Sequence, residues 1–342
     1  MTMRYFRLIL LLVCLVLVLH HARAEPAPAV APDAPPVSPE LDLRPVHTIA
    51  DAHPKGVAAL AIFDESQLLM STGHSREAKV WDLKTGKLVR ELPMHTAGRA
   101  LAFSPSGKLV AAGGGEFDQG KYRGGITIWK TADWKELRSI SVQAADVNAL
   151  AFLSEETLIS GGHSGLRVWD VATGEQRQFI ELPAAVLAMD LSPDRSLLGF
   201  GTFTACCYFL TTKDWAIVHT TQAQRGEPRS AAFSSDGALF SSGDAGRQFT
   251  VWDVKSRERL HVISGSTFWA CSQFKGDTAI AVGGNHQKPG VIAICDLRKG
   301  AILRVIQAHA DQINALALNP GRTVAATGAG DGSLIIWEVG AK

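Results

Sequence analysis

Histidine is the residue type to locate first in this sequence, because a neutral imidazole ligates metals and a titrating one moves protons near neutral pH. The 342-residue chain holds 11 histidines, and His53, His74, His95, His163, His286 and His309 all fall in polar stretches between short apolar runs. A metal draws its ligands to within about 2.0 to 2.6 Å. These six come from segments spread along the chain, so no metal ligand is assigned. Neither H-E-x-x-H, C-x-x-C-H, G-x-S-x-G nor G-x-x-x-x-G-K-[ST] occurs. Zincin, c-type haem, serine-hydrolase and phosphate-cradling chemistry therefore lack their usual residues. The glycine-rich run AAGGGEFDQG at 111–120 is followed by no helical pattern, and so lacks the aligned amides of a phosphate site. Asp82, Asp170, Asp253 and Asp296 recur at one register, which marks turn formers rather than an acid/base pair. No catalytic residue and no cofactor are assigned, and the chain is not expected to be an enzyme.

The elements that carry these residues are short and β-rich. From Arg44 onward, apolar runs alternate with Gly, Asp, Ser and Pro turns at intervals of about ten residues. Aligned on one anchor position, the runs give Trp81, Trp129, Trp169, Leu210, Trp252, Cys295 and Trp337, at spacings of 48, 40, 41, 42, 43 and 42. Seven copies at that period make a repeat array. In the first copy VAALAIF, LLMSTG, AKVWDL and LVREL, within residues 57–92, supply four strands, the complement of one β-propeller blade. The last copy supplies three, INALALN, TVAATG and LIIWEV, within residues 313–339. The segment RPVHTIA at 44–50 resembles LRVIQAH at 303–309 and stands where a fourth strand would precede the first repeat. The expected fold is all-β, a seven-bladed propeller whose last blade is completed by the N-terminal strand. That pairing would cover two open edges.

The segments KVWDLKTGKLV (79–89), RVWDVATGEQ (167–176), TVWDVKSRERL (250–260) and AHADQINALALNPGRTVAATGAGDGSLIIW (308–337) resemble repeats of the WD-repeat (WD40) β-propeller family, and the resemblance runs over about residues 44–340. It implies a structural network in which a loop His, a second-strand Ser or Thr and an Asp before the third strand bond towards the Trp. His309, Thr327, Asp331 and Trp337 hold the matching positions in the last repeat. Repeats one and two keep His53 with Trp81 and His95 with Trp129, and Trp169 and Trp252 keep the anchor in repeats three and five. Repeats four and six lose the Trp and are expected to rely on apolar packing.

The N-terminus reads differently. Arg4 and Arg7, the apolar run Leu8 to Leu19 and Ala22-Arg23-Ala24 form the three parts of a cleavable secretory signal over residues 1–24. As a helix the run would cover about 18 Å, short of a bilayer core of about 30 Å, so no stable anchor is expected after cleavage. Residues 25–43 read as a Pro/Ala-rich linker and 44–342 as the propeller. Without residues 1–24 the chain carries 31 basic and 33 acidic side chains, a balance with little attraction for nucleic acid. Cys206, Cys207, Cys271 and Cys295 then remain, expected mostly as buried thiols, since about 300 residues fill a core without disulfide staples.

Repeat two is longer than the others by about six residues, and the excess falls in EFDQGKYRG at 116–124, read as a loop between the second and third strands. Phe117, Lys121, Tyr122 and Arg123 combine aromatic anchors with charge, a composition found at protein interfaces. Neighbouring loops add His74, Arg76, His163, Arg247, His286 and Lys288 to a polar, mildly basic rim. Trp134, Trp215 and Trp269 are further anchors, although Trp269 aligns with the core residue Ile313. The function expected is an exported, periplasmic or secreted scaffold that binds a protein or peptide through the propeller's top face. The alternatives are an exported propeller enzyme or redox-associated component, lactonase- or dehydrogenase-like, and a glycan-binding module of the cell envelope.

Overall fold

The computed structural model describes residues 41–341, apart from 64–66, 119–120, 144–145, 223, 266–267, 276–277, 286–287 and 298. The expected leader and residues 25–40 of the linker lie outside the described residues. Every regular element described is a strand.

Strand β1 (Leu41–Ile49) comes first. Blade one holds β2 (Val57–Phe63), β3 (Leu68–Gly73), β4 (Glu77–Asp82) and β5 (Leu88–Pro93). Blade two holds β6 (Gly98–Phe103), β7 (Leu109–Asp118), β8 (Lys121–Lys130) and β9 (Glu136–Gln143). Blade three holds β10 (Val147–Phe152), β11 (Thr157–Gly162), β12 (Gly165–Asp170) and β13 (Gln176–Glu181). Blade four holds β14 (Val186–Leu191), β15 (Leu197–Thr202), β16 (Cys207–Thr211) and β17 (Ile217–Thr220). Blade five holds β18 (Ala232–Phe233), β19 (Leu239–Gly243), β20 (Gln248–Asp253) and β21 (Arg259–Ser264). Blade six holds β22 (Phe268–Lys275), β23 (Thr278–Asn285), β24 (Lys288–Asp296) and β25 (Ala301–His309). Blade seven holds β26 (Ile313–Leu318), β27 (Val324–Ala329) and β28 (Leu334–Ala341). Each blade is a four-stranded antiparallel sheet, and in blade seven β1 is the outer strand beside β28. Consecutive inner strands pack on one another from β2 to β26, and β26 packs back on β2, so the ring closes. The closing strand begins at Leu41, three residues before the expected boundary at Arg44. Leu41 and Leu43 are buried among Ile292, Ile294 and Val339, which draws them into the sheet.

The anchor positions have a common physical role. Seven apolar clusters fill the seven seams between neighbouring blades, and each contains one anchor. Trp81 lies between blades seven and one, Trp129 between one and two, Trp169 between two and three, and Leu210 between three and four. Trp252 lies between four and five, Cys295 between five and six, and Trp337 between six and seven. Where blade four has Leu210, the seam is filled by Phe200, with Tyr208 stacked on it. The next seam is an aromatic cluster of Phe209, Phe233, Phe240 and Trp252.

The recurring aspartates behave as turn formers. Asp82, Asp170, Asp253 and Asp296 each accept the backbone N–H three residues on. The tight turn they cap needs a left-handed residue, supplied by Gly86, Gly174, Arg257 and Gly300. Trp134 and Trp215 hold the same conformation in blades two and four. They pack partly buried against seam clusters as turn residues, not as anchors on the loop face. Cys207 and Cys295 are buried free thiols, Cys206 is a half-buried free thiol, and the side chain of Cys271 lies outside the described set.

Candidate functional site

The loops between blades and the turns between second and third strands share one face. Hydrogen bonds tie them together, as from Met94 N to Arg76 O, Ala97 N to Glu116 and Gln224 N to Ala205 O.

Beneath this face, blade seven carries a directed hydrogen-bond chain. Trp337 Nε1 donates to Thr327 Oγ1 at 2.8 Å, which also meets His309 Nε2 at 2.8 Å. His309 Nδ1 lies 2.6 Å from Ser333 Oγ, which donates to Asp331 at 2.6 Å. Ser333 spends its only proton on the carboxylate, so His309 carries hydrogen on Nδ1 and accepts from Thr327 at Nε2. Burial holds the His309 imidazole neutral, with its pKa pushed down to about 4. Asp331 therefore reaches the Trp through Ser333 and the His, a link for which the bare motif gives no sign.

Blade one repeats the core of this chain. Trp81 Nε1 donates to Ser71 Oγ at 2.7 Å, and His53 Nε2 lies 2.8 Å from the same oxygen. Ser71 was missed in the sequence, although it stands opposite Lys79 just as Thr327 stands opposite Ile335. Blade three keeps the Trp169–Ser160 bond at 2.9 Å. His95 departs from its expected structural place. Its side chain is 64% exposed and sits 3.8 Å from Glu136. The reason is at the matching second-strand position, where blade two has Ala112, which offers no hydroxyl.

The insertion in blade two is not a loop. Strands β7 and β8 run on past the other blades as a paired hairpin, with Glu116 opposite Arg123, Phe117 opposite Tyr122 and Asp118 opposite Lys121. Glu116 accepts a two-pronged bond from Arg76, at 2.7 and 2.6 Å, and a further one from Ala97 N at 3.1 Å. The Arg76 guanidinium holds the Glu116 carboxyl below its ordinary range. Phe117 is 65% exposed on this support. Arg123, His74, His163 and Arg247 are also exposed on the loop face, while His286 and the side chains of Lys121, Tyr122, Trp269 and Lys288 lie outside the described set. Of the predicted rim, the structure ties Arg76 to the hairpin that bears Phe117 and Arg123.

Two features of this architecture escaped the sequence reading. Phe203, in the turn between β15 and β16, is 59% exposed. The other is Asp190, on the wall of an axial cavity of about 430 Å³ lined by Leu60, Leu101, Leu150, Met189 and Leu316. Its register position is Ala61, Ala102, Ala151, Ala232 and Ala317 in five other blades, a periodic departure visible in the sequence. Burial pushes the Asp190 carboxyl up to about 6, against the N–H groups of Phe233 and Leu191 and the charge of Arg322. Among the described residues no group of three or more His, Cys, Asp or Glu side chains is placed to hold a metal.

Seven blades, a ring closed by the first strand and a Trp-centred chain in the last blade define a repeat β-propeller. The family described as WD domain, G-beta repeat matches residues 43–82, 86–119 and 300–338, three stretches of the seven-bladed ring. It is similar to human (Homo sapiens) apoptotic protease-activating factor 1, 26% identical over 146 residues, which cover 40% of this chain and 11% of that protein. The Rattus norvegicus form is 27% identical over the same length. WD repeat-containing protein 90 of Mus musculus is 24% identical over 319 residues, 84% of this chain and 16% of the relative. The chain thus spans a small part of each relative's length. WD40 propellers typically serve as protein-interaction scaffolds.

Proposed function

We propose that this propeller is an exported, non-catalytic scaffold that holds a protein partner on its loop face. The observation that carries the reading is the β7–β8 hairpin, which presents Phe117 to solvent from a base fixed by the Arg76–Glu116 pair. An aromatic side chain on a rigid support loses little freedom when it docks, so its burial converts efficiently into affinity. Arg123 adds a cation beside it. The positively flanked apolar run at Leu8 to Leu19, followed by Ala22-Arg23-Ala24, supports export.

Affinity capture from envelope extract with residues 25–342 tests the scaffold, alongside Phe117→Ser and a variant with Glu116 to Gly124 shortened to a tight turn. A stoichiometric protein held by the parent and lost from both variants is the expected result. A partner indifferent to both, or none at all, overturns the loop-face assignment. Export is tested separately by fusing residues 1–40 to a phosphatase that is active only outside the cytoplasm. An inactive fusion would sink that half of the reading.

A further inference from the structure

The axial cavity beside Asp190, about 430 Å³, has the volume of a small-molecule site. Its wall is the second half of the inner strands of blades one to four and seven, with the turn after β14, so it lies away from the loop face. Leu60, Leu101, Leu150, Met189 and Leu316 form one apolar tier of that wall. The next tier is Ala61, Ala102, Ala151 and Ala317, and in blade four it is the carboxylate of Asp190. Each inner strand is also the edge of its sheet, so its outward N–H and C=O groups turn to the axis rather than to another strand.

Asp190 is held in place without being neutralised. Its Oδ2 accepts Phe233 N at 2.8 Å and its Oδ1 accepts Leu191 N at 2.9 Å, which fixes the carboxylate while leaving acceptor capacity on both oxygens. Burial outweighs these two bonds and the charge of Arg322, and keeps the carboxyl up at about 6. At pH 7.5 a negative charge therefore stands in the wall with too little positive compensation. Arg195 also lines the cavity, but its guanidinium turns to carbonyls of blade three, 2.5 Å from Phe152 O and 3.3 Å from Leu153 O. Arg195 and Arg322 are the only other charged groups that the described residues bring to this carboxylate or its cavity.

We infer that the axial cavity binds a small primary amine, its ammonium on the Asp190 carboxylate and its apolar body against the leucine and methionine tier. An ammonium carries three donors, enough for Asp190 and for axial C=O groups together. Bonds between opposite charges are the strong ones where water is scarce. A carboxylate ligand would meet Asp190 as a like charge, and an alcohol would leave that charge uncompensated. The site is separate from the loop face, so the inference stands whether or not that face holds a protein.

The test is calorimetric titration of the full chain with phenethylamine, phenethyl alcohol and phenylacetate, at pH 7.5 and pH 5. Two variants stand beside the parent. Asp190→Asn keeps an acceptor for Phe233 N, and Ala102→Leu fills the cavity; cooperative melting establishes that each is folded, and Asp190→Asn decides alone if Ala102→Leu is not. The parent should bind the amine at least about tenfold more tightly than the alcohol and should not bind phenylacetate. Asp190→Asn should bind amine and alcohol alike, and Ala102→Leu should bind neither. The amine stays charged across this range, as lysine does. Its affinity for the parent should thus fall about tenfold from pH 7.5 to pH 5 as Asp190 takes up a proton, and stay level in Asp190→Asn. Equal affinity for amine and alcohol, amine binding that survives in Asp190→Asn, or no binding to the parent overturns the inference. A preference for phenylacetate overturns it too, by passing recognition to Arg195. Displacement of phenethylamine by acetyl-lysine amide, its side chain unmodified, at equal concentration overturns the small-molecule source and moves the ammonium to a protein lysine.

Discussion

Asp190 Oδ2 accepts the backbone N–H of Phe233 at 2.8 Å, tying the inner strand of blade four to that of blade five across their seam. Strand β18 has only two residues, so this side chain takes over an amide from the shortest inner strand described. A carboxylate enclosed by channel walls is costly to ionise, and its pKa of about 6 lies above the ordinary 3.8. The sign follows from the raised value. The folded state binds the proton more tightly, so this contribution is full below pH 3.8 and is lost as pH rises through 6. Asp190→Asn, whose side-chain oxygen still accepts from Phe233, should gain about 3 kcal/mol over the parent at pH 7.5 and little near pH 4. Denaturant titrations across that range decide it, and a difference that does not change with pH would refute the account.

His53 and His309 pull the opposite way. Burial holds both near pKa 4, below the ordinary 6.5. Their stabilisation is complete above pH 6.5 and is lost as pH falls towards 4, by about 3 kcal/mol each. Replacing His309 with Gln removes one titrating group, so the fall in stability between pH 6.5 and 4.5 should be shallower by close to one proton. An unchanged slope would mean that His309 is charged in the folded protein.

Much of this was legible in the sequence because the anchor period reports a physical requirement. Each seam between blades takes one buried side chain from the same third-strand position, and Trp81, Trp129, Trp169, Leu210, Trp252, Cys295 and Trp337 supply it. The closing strand was legible because the last repeat lacks an outer strand. What misled was local. His95 matches a motif by spacing, but only the residue across the sheet, Ala112, shows that no hydroxyl awaits it. The polar run Glu116 to Gly124 reads as a loop by composition, while its pairing, Phe117 against Tyr122, is a property of two strands together. Asp190 hides among inner-strand residues until the seven copies are aligned at that position.

The hairpin's anchor and its brace should separate in stability measurements. Phe117→Ser should leave the melting temperature unchanged, because the side chain is mostly in solvent. Arg76→Ala removes an ion pair whose side chains are 65% and 29% exposed, worth less than about 1 kcal/mol. Glu116→Ala should cost more, about 1 to 2 kcal/mol, since it also strips the acceptor from Ala97 N. Equal effects for Arg76→Ala and Glu116→Ala, measured by thermal denaturation, would show that the Ala97 bond contributes nothing.

Removing residues 41–50 should destabilise the entire ring. Strand β1 pairs with β28 from Leu41 opposite Ala341 to Ile49 opposite Leu334, and it buries Leu41 and Leu43 in the seam between blades six and seven. Those two side chains alone account for about 3 to 6 kcal/mol of burial, and their loss would leave β28 as an open edge prone to intermolecular pairing. At a few degrees per kcal/mol for a domain of this size, the melting temperature should fall by at least about 10 °C. The double substitution Leu41→Asn/Leu43→Asn keeps the backbone ladder and should show only the apolar part of the loss, without new aggregation. A truncated chain that melts with the parent would mean that the ring closes without its first strand.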